Sequence, residues 1–124
     1  MVFAPAPVLT VTIEQPADRP ELHLHPGGQG IWQARMISSL GGRVTLCSCI
    51  GGETGRALEP LITSEGIALR SVPWAAGNGW YVHDRRDGDR KQIAASAGQP
   101  LGRHELDDLY GLTLAEGVRS AVSV

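Results

Sequence analysis

The chain has 124 residues, 42% of them hydrophobic and 19% charged, with a formal net charge of −2, which is the size and balance of one modest globular domain. That charge offers no clustered basic face for nucleic acid or an anionic membrane, and no apolar run approaches the roughly 18 residues a membrane span needs. The opening MVFAPAPVLTVTIEQ lacks the basic start of a secretory signal, so a cytoplasmic location is expected.

Val8 to Ile13 (VLTVTI) alternates β-branched and apolar residues and is expected to be a buried first strand. A proline-punctuated connection follows, then a short extended run from Leu22 to His25, and Pro26, Gly27 and Gly28 break the chain. From Gly30 to Leu40, Ile31, Ala34, Ile37 and Leu40 recur at helical spacing, and Gly41-Gly42 stops the helix. Val44 to Ile50 (VTLCSCI) is almost continuously apolar, as in a strand covered on both faces. Its cysteines, Cys47 and Cys49, are spaced too tightly for a disulfide across elements. They read as reduced, buried structural thiols.

After Gly51-Gly52 a second helix is expected, with Thr54 as its N-cap, Ala57, Leu58, Leu61 and Ile62 as its buried stripe, and Pro60 kinking or shortening it. Gly66 closes it and Ile67 to Val72 forms another strand. This β–α–β–α–β order with short glycine connections is that of a parallel sheet in an α/β fold. The rhythm then changes. Gly79 to His83 (GWYVH) and Lys91 to Ala95 (KQIAA) flank a charged turn with Asp87-Gly88 at its tip, an antiparallel hairpin suited to a lid. Arg103 to Glu116 reads as a helix with Leu106, Leu109, Tyr110 and Leu114 on one side, and the closing VRSAVSV as the start of another buried strand.

The glycine pair ahead of the first helix presents free backbone N–H groups at a helix N-terminus, a place for an anion or a hydroxyl-rich ligand. It is neither a Walker loop nor a dinucleotide fingerprint. His23, His25, His83 and His104 are scattered, and only His23 and His25 share a strand face.

The ordered set VLTVTIEQPADR, PGGQGIWQARMISSLGG, VTLCSCIGGETGRALEPLITSEGI and a hairpin resembles the N-terminal part of the PfkB (ribokinase-type) carbohydrate kinases, above all their 1-phosphofructokinase and tagatose-6-phosphate kinase branch. Members of that branch open with a strand and a segment of the form TLNPAIDR, then a GGKGIN helix start. The resemblance implies a ribokinase-like α/β fold: a parallel sheet flanked by helices, with a β-hairpin lid near residues 78 to 96. It covers less than half of a family member, so residues 1 to 124 are expected to be the N-terminal, acceptor-binding portion of one kinase domain.

Carried over by position, the resemblance makes Asp18 the acceptor of hydrogen bonds from sugar hydroxyls and sets the backbone of Gly27, Gly28 and Gly30 against the sugar. Gly51, Gly52 and Gly55 match a second glycine cluster that serves turning and packing. Trp80 and Tyr81 cover the ligand from the lid, or else form a dimer contact or cross-strand packing. Gln29 and Trp32 occupy substrate-facing positions where the branch has Lys and Asn, so a positive charge and an acceptor are missing. Arg35, Arg85, Arg86 and Arg90 are the cations that could serve an anion instead, or they are simply solvated. No catalytic residue or metal ligand is assigned. ATP and Mg²⁺ are expected for the intact enzyme, with their machinery outside this portion. The expected partners are a sugar or sugar phosphate and a second copy meeting through the lid hairpin. A non-catalytic kinase-like binding protein and a small interaction domain are the other readings.

Overall fold

The computed structural model describes all 124 residues. Two sheets share the chain. A three-stranded parallel sheet has the order β1 (Val2–Phe3), β4 (Thr45–Ile50), β5 (Ala68–Pro73), and a four-stranded mixed sheet has the order β3 (Glu21–Gly27), β2 (Val8–Glu14), β6 (Trp80–Asp84), β7 (Lys91–Ser96). The helices are α1 (Gln29–Ser39), α2 (Gly52–Ser64) and α3 (Arg103–Val118).

The parallel sheet is covered on both sides, which explains the unbroken apolar character of β4. On one side Leu46, Val2 and Val44 join Ile31 and Ala34 of α1 and Leu58 and Ile62 of α2 in the larger core cluster. On the other, Cys47, Cys49, Val72 and Trp74 meet Leu109 of α3. Both cysteines are free and buried as expected, and burial pushes their thiols above the usual range. Each fully buried Leu or Ile here contributes about 1.5–3 kcal/mol through apolar area removed from water.

The mixed sheet lies over one end of this body. β2 pairs antiparallel with β3 from Val8↔Gly27 to Glu14↔Glu21, and parallel with β6. β6 and β7 form the expected hairpin, with Gly88 in its turn at φ 88° and its N–H donating to the Arg85 carbonyl.

Several expectations are corrected. VLTVTI is not the first strand of the parallel sheet: that strand is the two-residue β1, and Val8–Glu14 crosses into the mixed sheet. Its residues alternate in kind, with Leu9 and Val11 packed on the core cluster and Thr10 and Thr12 on the opposite face, as in a sheet whose two faces differ. Thr54 does not cap α2. Gly51 is the N-cap, and the Thr54 hydroxyl donates to the Asn78 carbonyl at 2.7 Å. α2 runs four residues past Pro60 to Ser64. On α3 only Leu109 is buried. Leu106, Tyr110 and Leu114 are exposed, because the side of α3 turned to the sheet runs through Glu105, Leu109, Leu112 and Glu116 instead. The closing segment is no buried strand: Val118 ends α3 and Val122 is exposed, though Val124 exchanges parallel-type hydrogen bonds with Met1 and Phe3.

Candidate functional site

A cleft of about 770 Å³ opens between the inner face of the mixed sheet and the start of α1. Its floor follows from strand register, since side chains opposite one another in paired strands share a face. Thr10 lies between His25 and Tyr81, and Thr12 between His23 and His83. Two cross-strand rows of ring, hydroxyl and ring therefore lie side by side. The Tyr81 and His83 rings are 6.1 Å apart and nearly parallel, and those of His23 and His25 are 6.2 Å apart in the same manner.

Trp32, one turn into α1, stands at the rim, 66% exposed, with the Arg35 guanidinium 4.9 Å from its ring centre. The cations differ in availability. Arg35 is committed to structure: it donates to both Glu65 carboxylate oxygens at 2.7 and 2.6 Å and to the Pro26 carbonyl, and the Glu65 hydrogen bond raises its pKa. Arg85 pairs with Glu14 at 3.3 Å. Arg86 chelates Asp84 and is not part of the cleft lining. Arg90 reaches His83 Nε2 at 3.3 Å and pairs with no carboxylate, leaving it the free cation of the cleft. That contact is a hydrogen bond when Nε2 is unprotonated and accepts from the guanidinium.

A smaller hollow of about 370 Å³ adjoins it, where the α1 start meets the crossover from β1 to β2. Gly28 N-caps α1 with φ 106°, a conformation that side chains with a Cβ rarely adopt. A Cβ at Gly30 would overlap that of Ala4, so the glycine lets α1 begin directly against the crossover. Gln29 and Gln33 line the hollow from the helix. Ala4, Pro5, Ala6 and Pro7 line it from the crossover and offer no side-chain polar atom.

The structure thus brings together Gly27, Gly28, Trp32 and Tyr81 in one cleft, with Gln29 and Gly30 in the adjoining hollow. Two residues singled out from sequence lie elsewhere. Asp18 is exposed in the turn joining β2 to β3, beyond the Glu14↔Glu21 pair. Six register steps separate that end from the Val8↔Gly27 pair, about 20 Å at ~3.4 Å per residue. Trp80 projects to the opposite face from Tyr81 and packs on the core cluster containing Leu9, Leu58 and Ile62. Conversely, Thr10, Thr12, His25, His83 and Arg90 line the cleft. The period-two patterns TVT, HLH and YVH mark their shared face in the sequence.

The Gly51–Gly55 cluster serves packing. A Cβ at Gly51 would overlap the Trp74 carbonyl, and Gly51 N–H donates to Asn78 Oδ1 at 2.9 Å. No group of three or more His, Cys, Asp or Glu side chains is placed to hold a metal ion, and no helix is long and apolar enough to cross a membrane.

The family model described as pfkB family carbohydrate kinase matches residues 8–100. No curated protein matches the chain. Among solved structures, phosphofructokinase-2 from Escherichia coli in complex with fructose-6-phosphate is similar at 25% identity and a TM-score of 0.72, over 92% of this chain and 40% of that one. The tetrameric inhibited form of the same enzyme gives 28% and 0.73, over 92% and 40%. A Thermotoga maritima protein described as a possible 1-phosphofructokinase gives 15% and 0.77, over 98% and 42%. The chain therefore spans about two fifths of the length of the structures it matches.

Proposed function

Because this chain belongs to the pfkB family of carbohydrate kinases, with a ribokinase-like α/β fold, we propose that its cleft is the acceptor-binding part of an ATP-dependent kinase. The intact enzyme would transfer the γ-phosphate of ATP to a hydroxyl of a small sugar-like molecule, and residues 1 to 124 would be the N-terminal part of that one domain. The observation that carries this reading is the convergence of two elements on one cavity: the Gly27–Gly28 start of α1 and the inner face of the mixed sheet. A sheet placed this way can exclude water from a bound acceptor, which phosphoryl transfer needs because water otherwise consumes the ATP.

Within this reading Gly27 and Gly28 approach the acceptor through their backbone, Gln29 and Trp32 meet it from α1, and Tyr81 closes on it from the sheet. Arg90 supplies the charge that would favour a phosphorylated acceptor. Asp18 would reach the acceptor only if its turn were carried across the cleft, and Trp80 acts by holding the sheet on the core. Kinases of this family use ATP with Mg²⁺. The residues present here do not fit that group, since the one cleft carboxylate, Glu14, is engaged by Arg85 and His23. The nucleotide machinery would belong to the remaining three fifths of the fold.

A second copy is the expected partner. Leu22 and Leu24, on the face of the mixed sheet opposite the cleft and beyond its contact with the core, are 64% and 41% exposed, and Ile93 of β7 is 56% exposed, apolar surface suited to a matching patch. A second reading is also favoured by an observation. The Ala4–Pro7 wall and distant Asp18 leave the α1 start without a facing carboxylate, as in a kinase-like protein that binds a small molecule without catalysis.

The test is ATP consumption over a panel of sugars, sugar phosphates and nucleosides, with this chain and with a form extended through its downstream coding sequence. Turnover in the extended form alone is the expected result. A folded extended protein without turnover on any acceptor would transfer the argument to the binding-only reading.

A further inference from the structure

The make-up of the cleft bears on which molecule it holds, given the reading above that it is the acceptor site. A sugar or sugar phosphate has a hydroxyl on nearly every carbon, and its recognition consists of many directed hydrogen bonds to side-chain acceptors and donors. A buried site that lacks them leaves those hydroxyls unpaired at about 1–3 kcal/mol each. The wall facing the α1 start is Ala4, Pro5, Ala6 and Pro7, with Val8 next in the chain. Glu14 is held by Arg85 and His23, and Asp18 is at the far end of the ribbon.

The cleft itself sets flat rings among hydroxyl and cationic side chains, Thr10, Thr12, Arg85 and Arg90. Trp32 is 66% exposed with one cation stacked on it, so indole surface faces the cleft mouth. Tyr81 presents a ring from β6, backed by the nearly parallel ring of buried His83, and His25 adds a ring from β3. Beside them stands Arg90, a cation without a carboxylate partner. Stacking surfaces together with one free cation fit a planar ring bearing an anionic group. The Thr10 and Thr12 hydroxyls between the rings can each serve a ring substituent as donor or acceptor.

We infer that the acceptor is a planar heteroaromatic compound carrying a phosphate or similar anionic group, such as a nucleoside monophosphate, stacked on Trp32 and Tyr81 with its anion at Arg90. A polyhydroxylated sugar phosphate is the disfavoured class.

The test uses the 124-residue chain in calorimetric titrations with uridine 5′-monophosphate and with fructose 6-phosphate, and NMR of the Trp32 indole N–H during each. Uridine 5′-monophosphate should bind at least about tenfold more tightly, shift the Trp32 signal, and lose about tenfold in affinity in the Trp32→Asn variant. Trp32 is exposed, so this variant should remain folded, and the Arg90→Ala variant should weaken uridine 5′-monophosphate while leaving uridine unaffected. Equal or tighter binding of fructose 6-phosphate overturns the inference and leaves the kinase reading standing. Unchanged uridine 5′-monophosphate affinity in Trp32→Asn overturns it as well. Binding of neither compound to the folded chain counts against both this inference and the acceptor-cleft reading. The expected binding pattern without turnover in the extended form keeps the ligand class and removes the kinase.

Discussion

Asn78 commits every polar atom of its side chain to the backbone of two separate segments, the β4–α2 junction and the crossover from β1 to β2. Its Oδ1 accepts from Gly51 N–H at 2.9 Å, and its Nδ2 donates to the Pro7 and Cys49 carbonyls at 3.0 Å each. The residue is 4% exposed, so no water replaces a lost partner. Replacing it with Ala would leave a buried N–H and two carbonyls unpaired, and the variant should lose about 2–4 kcal/mol of stability. Urea unfolding measures this, and a loss under about 1 kcal/mol would show that Asn78 is dispensable at the junction of the two sheets.

A second residue-scale expectation concerns Asp84. Hydrogen bonds from the Arg86 side chain, then its backbone N–H, hold the carboxyl at about 2, against an ordinary value of 3.8. Its folded pKa is depressed, so the stabilisation is complete above the ordinary value and is lost as pH falls toward about 2. Carboxyl-carbon NMR of the folded chain should place the Asp84 midpoint near 2, and Arg86→Ala should raise it part of the way toward the ordinary value, because the backbone N–H bond remains. An Asp84 midpoint that does not respond to Arg86→Ala would remove Arg86 as the cause.

Among the elements, α2 carries an internal contradiction. Pro60 has no N–H to donate to the Arg56 carbonyl four residues back, yet the helix continues to Ser64 because Leu58 and Ile62 on either side are fully buried. Packing overrides propensity there. Pro60 is exposed, so Pro60→Ala restores the helical hydrogen bond without disturbing the core. It should stabilise by about 1–2 kcal/mol after allowing for the freer unfolded chain. Calorimetry should show the midpoint rising by about 5 °C. A fall would mean that the proline ring makes a contact worth more than the missing bond.

The same tension explains what could be read from the sequence. α1, β4, β5 and the β6–β7 hairpin announce themselves through periodicity and glycine punctuation, and each lies within a residue or two of its expected place. β1 could not be read, because two residues between a chain start and two prolines have no period. With β1 unread, VLTVTI reads as the first parallel strand. The alternation of Thr10 and Thr12 with Leu9, Val11 and Ile13 held the contrary signal, since β4 shows how differently a strand reads when covered on both faces. In the cleft, Gly27, Gly28, Trp32 and Tyr81 were legible from motif order alone. The ring rows were not, because they depend on which of three distant strands become neighbours.

At the scale of the whole molecule, the two sheets differ in what protects them. β4 is buried along four consecutive residues between α1 and α2 on one side and α3 on the other. β7 is exposed at every position and is bonded only to β6, at the edge of the mixed sheet. The last of the chain's three passages between the sheets runs through Gly77, Asn78 and Gly79, where Gly77 has φ 85° and Asn78 is the pin described above. Opening the mixed sheet at its outer edge breaks hydrogen bonds without uncovering the parallel core, so the free energies of opening should form a hierarchy. Native-state hydrogen exchange should find β7 amides the least protected of the sheet amides, those of β2 and β6 intermediate, and those of β4 exchanging only through global unfolding. The gap between β7 and β4 should exceed about 100-fold, or ~2.7 kcal/mol. In the Asn78→Ala variant β2 and β6 should move toward the β7 values while β4 falls only by the loss in global stability. Uniform protection across both sheets would contradict this, and would mean that the mixed sheet is a rigid wall that opens only with the whole molecule.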